Sequence, residues 1–173
     1  MKDEALSIVK AELDALRERI IVNLMRAGQN ASGRTISSLR VDVRADGGTL
    51  FGRSPFGTTE TGRKGGKVPA NFQDIIKQWI IDKGIAVTSM PYIRAASKNW
   101  TPKYTPEQRG LNSMSWCIAR KIAREGTALH RAGGRDDIYT KEVDLAVKNI
   151  SDRVFGIFKE DVTRINKRAN ENI

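Results

Sequence analysis

Three groups of residues in this chain have types and spacings that chemistry uses. The first is Thr61-Gly62-Arg63-Lys64-Gly65-Gly66-Lys67-Val68, where glycines free backbone N–H groups and lysines add positive charge, as in loops that cradle phosphate. A Walker A loop needs glycine where Thr61 stands and Ser or Thr where Val68 stands, after a buried parallel strand. Those requirements are not met, and a flexible basic loop accounts for the composition. The second group is Cys117 with His130, a candidate thiolate and base. No third group is placed to orient the imidazole, and Cys117 stands between Trp116 and Ile118 in a helical pattern, where a buried thiol acts as a small hydrophobe. The third is Asp136-Asp137, which with Glu125 or Glu60 has the ligand types that hold Mg²⁺ for phosphodiester chemistry. The two aspartates also stand just before a helical pattern, and capping of its free N–H groups is the simpler explanation. One cysteine and one histidine in 173 residues leave neither a disulfide framework nor a Cys/His zinc site within one chain. No catalytic residue, metal or cofactor is expected, and the chain reads as a non-enzyme.

A fourth pattern suits binding. Residues 86–112 contain Pro91, Pro102 and Pro106, show little periodicity, and interleave Tyr92, Trp100 and Tyr104 with Arg94, Lys98, Lys103 and Arg109. Stacking rings with phosphate-neutralising cations suit nucleic acid, whereas Trp, Tyr and Arg are also the usual anchors of protein interfaces. Compact domains rarely hold ~20 residues without structure, and the aromatics argue against disorder. The segment is therefore expected to be an extended arm, protease-sensitive until identical or foreign companions complete it, in a chain that is monomeric or weakly associated alone. With no recognition helix or RRM signature nearby, an interface is the favoured use, with Phe56, Tyr92, Trp100 and Tyr104 as its anchors. Arg53, Arg63, Lys64, Lys67, Arg94, Lys98, Lys103 and Arg109 are the cations expected to meet DNA or an acidic partner.

The elements that must position these residues follow from periodicity. Leu6, Val9, Leu13, Leu16, Ile20 and Leu24 recur at spacings of 3 and 4, the single apolar stripe of a long helix over 3–27 that Gly28 stops. Leu39, Val41 and Val43 alternate with polar residues as a half-buried strand, and Asp46-Gly47-Gly48 turns the chain back into a second strand over 49–53. The first helix is the natural cover for this hairpin. Residues 55–68 read as an exposed glycine-rich basic loop. Phe72, Ile75, Ile76, Trp79 and Ile80 mark a short helix begun at Asn71 or Pro69 and ended by Gly84, and Trp116, Ala119, Ile122 and Ala123 mark another that ends at Gly126. Val143, Val147, Ile150, Val154, Phe158, Val162 and Ile165 form the core stripe of a last long helix. The expected fold is α+β: one domain over 1–173, with long terminal amphipathic helices on a small antiparallel hairpin sheet, and extended loops or arms at 55–68 and 86–112.

Charge is concentrated mid-chain. Thirty Lys and Arg against twenty Asp and Glu leave +10, of which residues 26–67 carry +5 and residues 94–135 carry +7, while the ends are nearly balanced. Such a surface favours polyanions or acidic protein faces. No apolar run approaches the ~20 residues of a membrane span, and the N-terminus lacks a signal-peptide core, so the chain is expected to be made and kept in the cytoplasm.

The order of elements resembles the neck and tail-completion (head-tail connector) proteins of tailed bacteriophages. The phrase Ser32-Gly33-Arg34-Thr35-Ile36-Ser37-Ser38-Leu39 is similar to the threonine-glycine-arginine phrase that opens their sheet. Ile118-Ala119-Arg120-Lys121-Ile122-Ala123-Arg124-Glu125-Gly126-Thr127 is similar to their aromatic-to-Glu-x-Gly-Thr segment. Where those proteins continue with proline-phenylalanine, this chain has His130 to Asp137. The resemblance implies a non-enzymatic virion protein that forms a homo-oligomeric ring between portal and tail. Its neighbours would be portal, connector or tail proteins, with transient contact to genomic DNA and none to membrane. The alternative from charge alone is a DNA-binding protein that grips phosphate with residues 53–67 and 94–135.

Overall fold

The computed structural model describes residues 2–92 and 102–171. Its elements are helix α1 (Lys2–Arg26), a one-turn α2 (Arg34–Ser37), strands β1 (Arg40–Arg44) and β2 (Gly47–Phe51), and a 3₁₀ turn (Ser54–Gly57). Helices α3 (Thr58–Thr61), α4 (Phe72–Asp82), α5 (Pro106–Glu125), α6 (Ala128–Arg131) and α7 (Thr140–Glu171) follow. The fold is α+β with a two-stranded antiparallel sheet. The chain divides into two compact units, Met1–Glu60 with Arg135–Ile173, and Thr61–Gly134.

In the first unit α1 buries Leu13, Leu16, Ile20 and Leu24 with Leu39, Ile138 and Ala146. The hairpin pairs Val41 with Leu50 and Val43 with Gly48. Its turn is Ala45-Asp46, and the two glycines expected there are the first residues of β2. Gly48 is small because α1 lies on it: a Cβ would stand 2.5 Å from Leu13 Cδ1 and 2.7 Å from Val9 Cγ1. Helices α1 and α7 run antiparallel with a polar seam between them. Asn23 Nδ2 donates to the Ile138 carbonyl, Arg19 Nε to Glu142, and Asn149 Nδ2 to Glu12. The stripe expected to pack α7 does so only in part. Its Ile150 and Val154 are half-buried, whereas Val143, Val147, Phe158, Val162 and Ile165 are exposed, and the buried Ala146 lies outside it. The rest of the packing uses the face about 100° round the helix, where small and polar side chains match the polar flank of α1.

In the second unit Phe72, Ile76 and Ile80 of α4 pack on Ala119 of α5, with Val68, Ile85, Val87, Leu111, Met114, Ile118 and Ile122 around them. Helix α5 starts well before Trp116, within the expected arm. Thr105 Oγ1 accepts from the Gln108 N–H while the Gln108 side chain accepts from the Thr105 N–H, and Pro106 fills the first turn. Trp116, expected on the buried face, is 49% exposed.

The arm is corrected further at its other end. Met90 N–H donates to the Pro106 carbonyl, Arg109 Nη1 to the carbonyls of Met90 and Pro91, and the Tyr92 hydroxyl to the Tyr104 carbonyl. Both described flanks of this segment are thus satisfied by their own unit, and neither needs a companion. Gly110 makes the fit close, because a Cβ there would lie 2.1 Å from the Thr88 carbonyl oxygen. Gly110→Ala gains helix propensity of about 1 kcal/mol, but backbone cannot swing aside as a side chain can. A net loss of about 1–2 kcal/mol is expected, read as a lower Tm and faster proteolysis between Ala86 and Tyr92.

Residues 55–68 are not a bare loop either. They include the 3₁₀ turn and α3, whose Glu60 is only 3% exposed.

Candidate functional site

The residues first considered for chemistry are occupied in building the fold. Asp136 and Asp137 do not cap α7. Asp137 is paired with Arg135, whose hydrogen bond pulls its carboxyl down to about 2, and Asp136 accepts from Lys141 Nζ. The cap is Glu60, from 80 residues away: its Oε1 accepts the N–H groups of Ile138 (2.9 Å), Tyr139 (2.6 Å) and Thr140 (3.0 Å), and its Oε2 accepts the Thr140 hydroxyl. The Arg135 N–H donates to the Glu60 carbonyl, tying the entry to α7 to the same residue. A carboxylate at the positive end of a 32-residue helix meets both its free N–H groups and its dipole.

The glycines of the 61–68 segment serve close packing. Gly66 N–H donates to the Ala123 carbonyl, Thr127 N–H to the Arg63 carbonyl and Arg63 N–H to Thr127 Oγ1. A Cβ on Gly65 would stand 2.7 Å from the Arg124 carbonyl oxygen, and one on Gly126 2.6 Å from that of Arg63. Backbone donors committed in this way do not form a phosphate cradle. His130 Nδ1 lies 3.3 Å from the Thr61 carbonyl, and Cys117 is exposed rather than buried. Among the described residues no three His, Cys, Asp or Glu side chains gather as metal ligands, and no helix is long and apolar enough to cross a membrane.

The expected interface anchors separate. Phe56 packs inside the first unit against Tyr139, with ring centroids 5.3 Å apart. Tyr92 lies under the Arg109 guanidinium at 3.9 Å, and Tyr104 is 41% exposed with Lys103 Nζ 5.3 Å over its ring. Trp100, Arg94 and Lys98 lie outside the described residues. Among the cations, Arg109 is committed to the Met90 and Pro91 carbonyls, and Arg63 to the Lys67 carbonyl with its guanidinium 5.1 Å over Phe72. Arg53, Lys64 and Lys67 are exposed, Arg53 in the first unit and the two lysines in the second.

Two surfaces emerge instead. The first is the unused face of α7, with Val147 (61% exposed), Phe155 (69%), Phe158 (52%), Val162 (56%) and Ile165 (61%) in one row. A groove of about 760 Å³ opens beside it, with Leu6 and Val9 of α1 and Ile150, Val154, Phe155 and Phe158 of α7 among its walls. The α1–α7 pairings advance one for one (23 with 138, 19 with 142, 12 with 149), so Lys2 is level with Lys159. The rest of α7 runs on past the described start of α1 for about 18 Å. The second surface is cationic and lies on α5. Its signal was present in the sequence: once Ser115, Ala119 and Ile122 define the inner face, Trp116, Cys117, Arg120, Lys121 and Arg124 must share the outer one.

The chain matches no family model, no curated protein and no solved structure.

Proposed function

We propose that the chain is a structural virion protein of a tailed bacteriophage, a neck or tail-completion subunit that forms a ring between portal and tail. The observation that carries this is the apolar row on α7. Five large side chains more than half exposed on one helix face form the kind of continuous patch that marks an interaction surface. The companion-completed arm no longer supports the proposal, since its described flanks are satisfied within the chain. Support also comes from the placement of the two family-like phrases. Gly33 adopts φ +74° to start α2 ahead of β1, and Gly126 at φ +80° joins α5 to a Thr127-capped α6. Both phrases therefore specify turns. The partners are further copies of the chain and neighbouring portal, connector or tail proteins, and the role involves no catalysis. The subunit is made in the host cytoplasm and carried in the particle. Immunoelectron microscopy of purified particles should label the collar between capsid and tail; absence of the chain from particles overturns the proposal.

A further inference from the structure

The +10 of the chain is almost wholly segregated. The second unit holds thirteen Lys or Arg against four Asp or Glu, leaving the first unit close to neutral. Within it five of the thirteen, all among the described residues, share one region. Arg120, Lys121 and Arg124 stand exposed on the outer face of α5. The bond from Gly66 N–H to the Ala123 carbonyl brings Lys64 and Lys67 beside the last turn of the same helix. One acid offsets them in part, beside Arg124 and one turn from Lys121. Asp74 and Asp82 are on α4, Glu107 is in the first turn of α5, and Glu125 is shared between Arg124 and Arg131. Among the described residues Lys64, Lys67, Arg120 and Lys121 have no carboxylate within ion-pair distance.

We infer that this face is a docking surface for the phosphate backbone of double-stranded nucleic acid, bound without regard to sequence. Three observations favour that partner. Cations spaced i, i+3 and i+4 repel one another, and the negative end of the helix dipole compensates only one or two, so the cluster matches a polyanion outside the chain. Protein interfaces are depleted in lysine and mix both signs at their rims, whereas nucleic-acid interfaces are positively charged throughout. Around these cations the outer face offers one ring, Trp116, with the Arg120 guanidinium 5.0 Å over it, and the exposed amide of α5, Gln108, is held by the Thr105 N–H at the far end of the helix. A single strand wants a row of stacking rings and base reading wants amide side chains, so neither is the target. This surface depends on the second unit alone and stands whether or not the chain is a connector subunit.

The test uses the full chain and a fluorescent 30-base-pair DNA duplex of arbitrary sequence. Four or five neutralised phosphates predict a log–log salt slope of about −4, a roughly 200-fold loss of affinity between 50 and 200 mM salt. Replacing Arg120, Lys121 and Arg124 together by glutamine, which keeps helix propensity, should weaken binding more than tenfold and flatten the slope by about 3. The same charge change at exposed Lys141, Lys148 and Lys159 of the first unit should alter the slope by less than 1; an equal effect there would mean diffuse attraction and overturn the assignment. The unmutated chain supplies a second readout, because its single cysteine, Cys117, is exposed on this face. Saturating duplex at 50 mM salt should slow maleimide labelling of Cys117 at least fivefold, and 500 mM salt should restore it. Duplex bound without protection of Cys117, no binding at 50 mM salt, or polyglutamate competing as well as duplex would each overturn the inference.

Discussion

Glu60→Ala is expected to destabilise the chain by about 3–4 kcal/mol, more than any other single replacement described above. The carboxylate is 3% exposed and takes three consecutive N–H groups and a hydroxyl at the start of α7. Removing it leaves these donors without partners beside Ile138, which is fully buried. A buried donor left alone costs about 1–3 kcal/mol, and two of the four regaining water still leaves a loss of that size. Glu60→Gln keeps one acceptor oxygen and loses the charge, so about 1–2 kcal/mol is expected there. Denaturant unfolding of the three proteins checks the order Glu, Gln, Ala.

The same residue sets an acid dependence. Burial pushes the Glu60 carboxyl up, but hydrogen bonds from the Thr140 hydroxyl and the N–H groups of Thr140, Tyr139 and Ile138 outweigh it and hold the group below its ordinary 4.5. A carboxyl whose pKa is lowered by folding contributes stability that is complete above the unfolded value and lost as pH falls through the folded one. The chain should therefore lose stability below about pH 4, and Glu60→Gln should show a shallower decline over that range. Parallel acid curves for the two proteins would show that the cap does not titrate with folding.

What could be read before the structure was local. Helix α1 was visible because one stripe serves one core, and α4 and the hairpin because their periods are short and unambiguous. The first half of α5 was missed for the opposite reason: Pro106 to Asn112 hold only one large aliphatic residue, and the start signal is the Thr105–Gln108 capping box rather than a stripe. Glu60 was out of reach because its partners are 78 to 80 residues distant, and a capping aspartate stood nearer in sequence. On α7 the period was correct, but only Ile150 and Val154 of its stripe turn toward this chain's own core. Apolar spacing identifies a face that wants burial, but not whether this chain or another buries it. The packed face was obscured by its polarity, since Glu12, Arg19, Asn23, Glu142 and Asn149 bind one another across the seam. On the outer face of α5 the regional charge gives the number of basic residues, but only the helical spacing of Arg120, Lys121 and Arg124 shows the face they share.

That uncovered face leads to the second large effect, opposite in kind to the first. Phe155→Glu with Val162→Glu should leave folding almost unchanged, because both side chains are more than half exposed and surface replacements cost about 0.5 kcal/mol or less. In an assembly that covers the row, each apolar side chain completing its burial contributes about 1–2 kcal/mol, and a carboxylate forced into the seam adds a desolvation cost. Association should fall by about 4 kcal/mol, roughly a thousandfold, measured by sedimentation at high protein concentration or by incorporation into particles. The helical signal and Tm of the variant should match those of the parent. A subunit that assembles normally with two glutamates in this row does not use α7 to meet its neighbours, and the connector proposal would lose the observation that carries it. Unchanged assembly would leave the duplex-binding face of α5 untouched, since that surface is read by salt slope and Cys117 protection in the second unit.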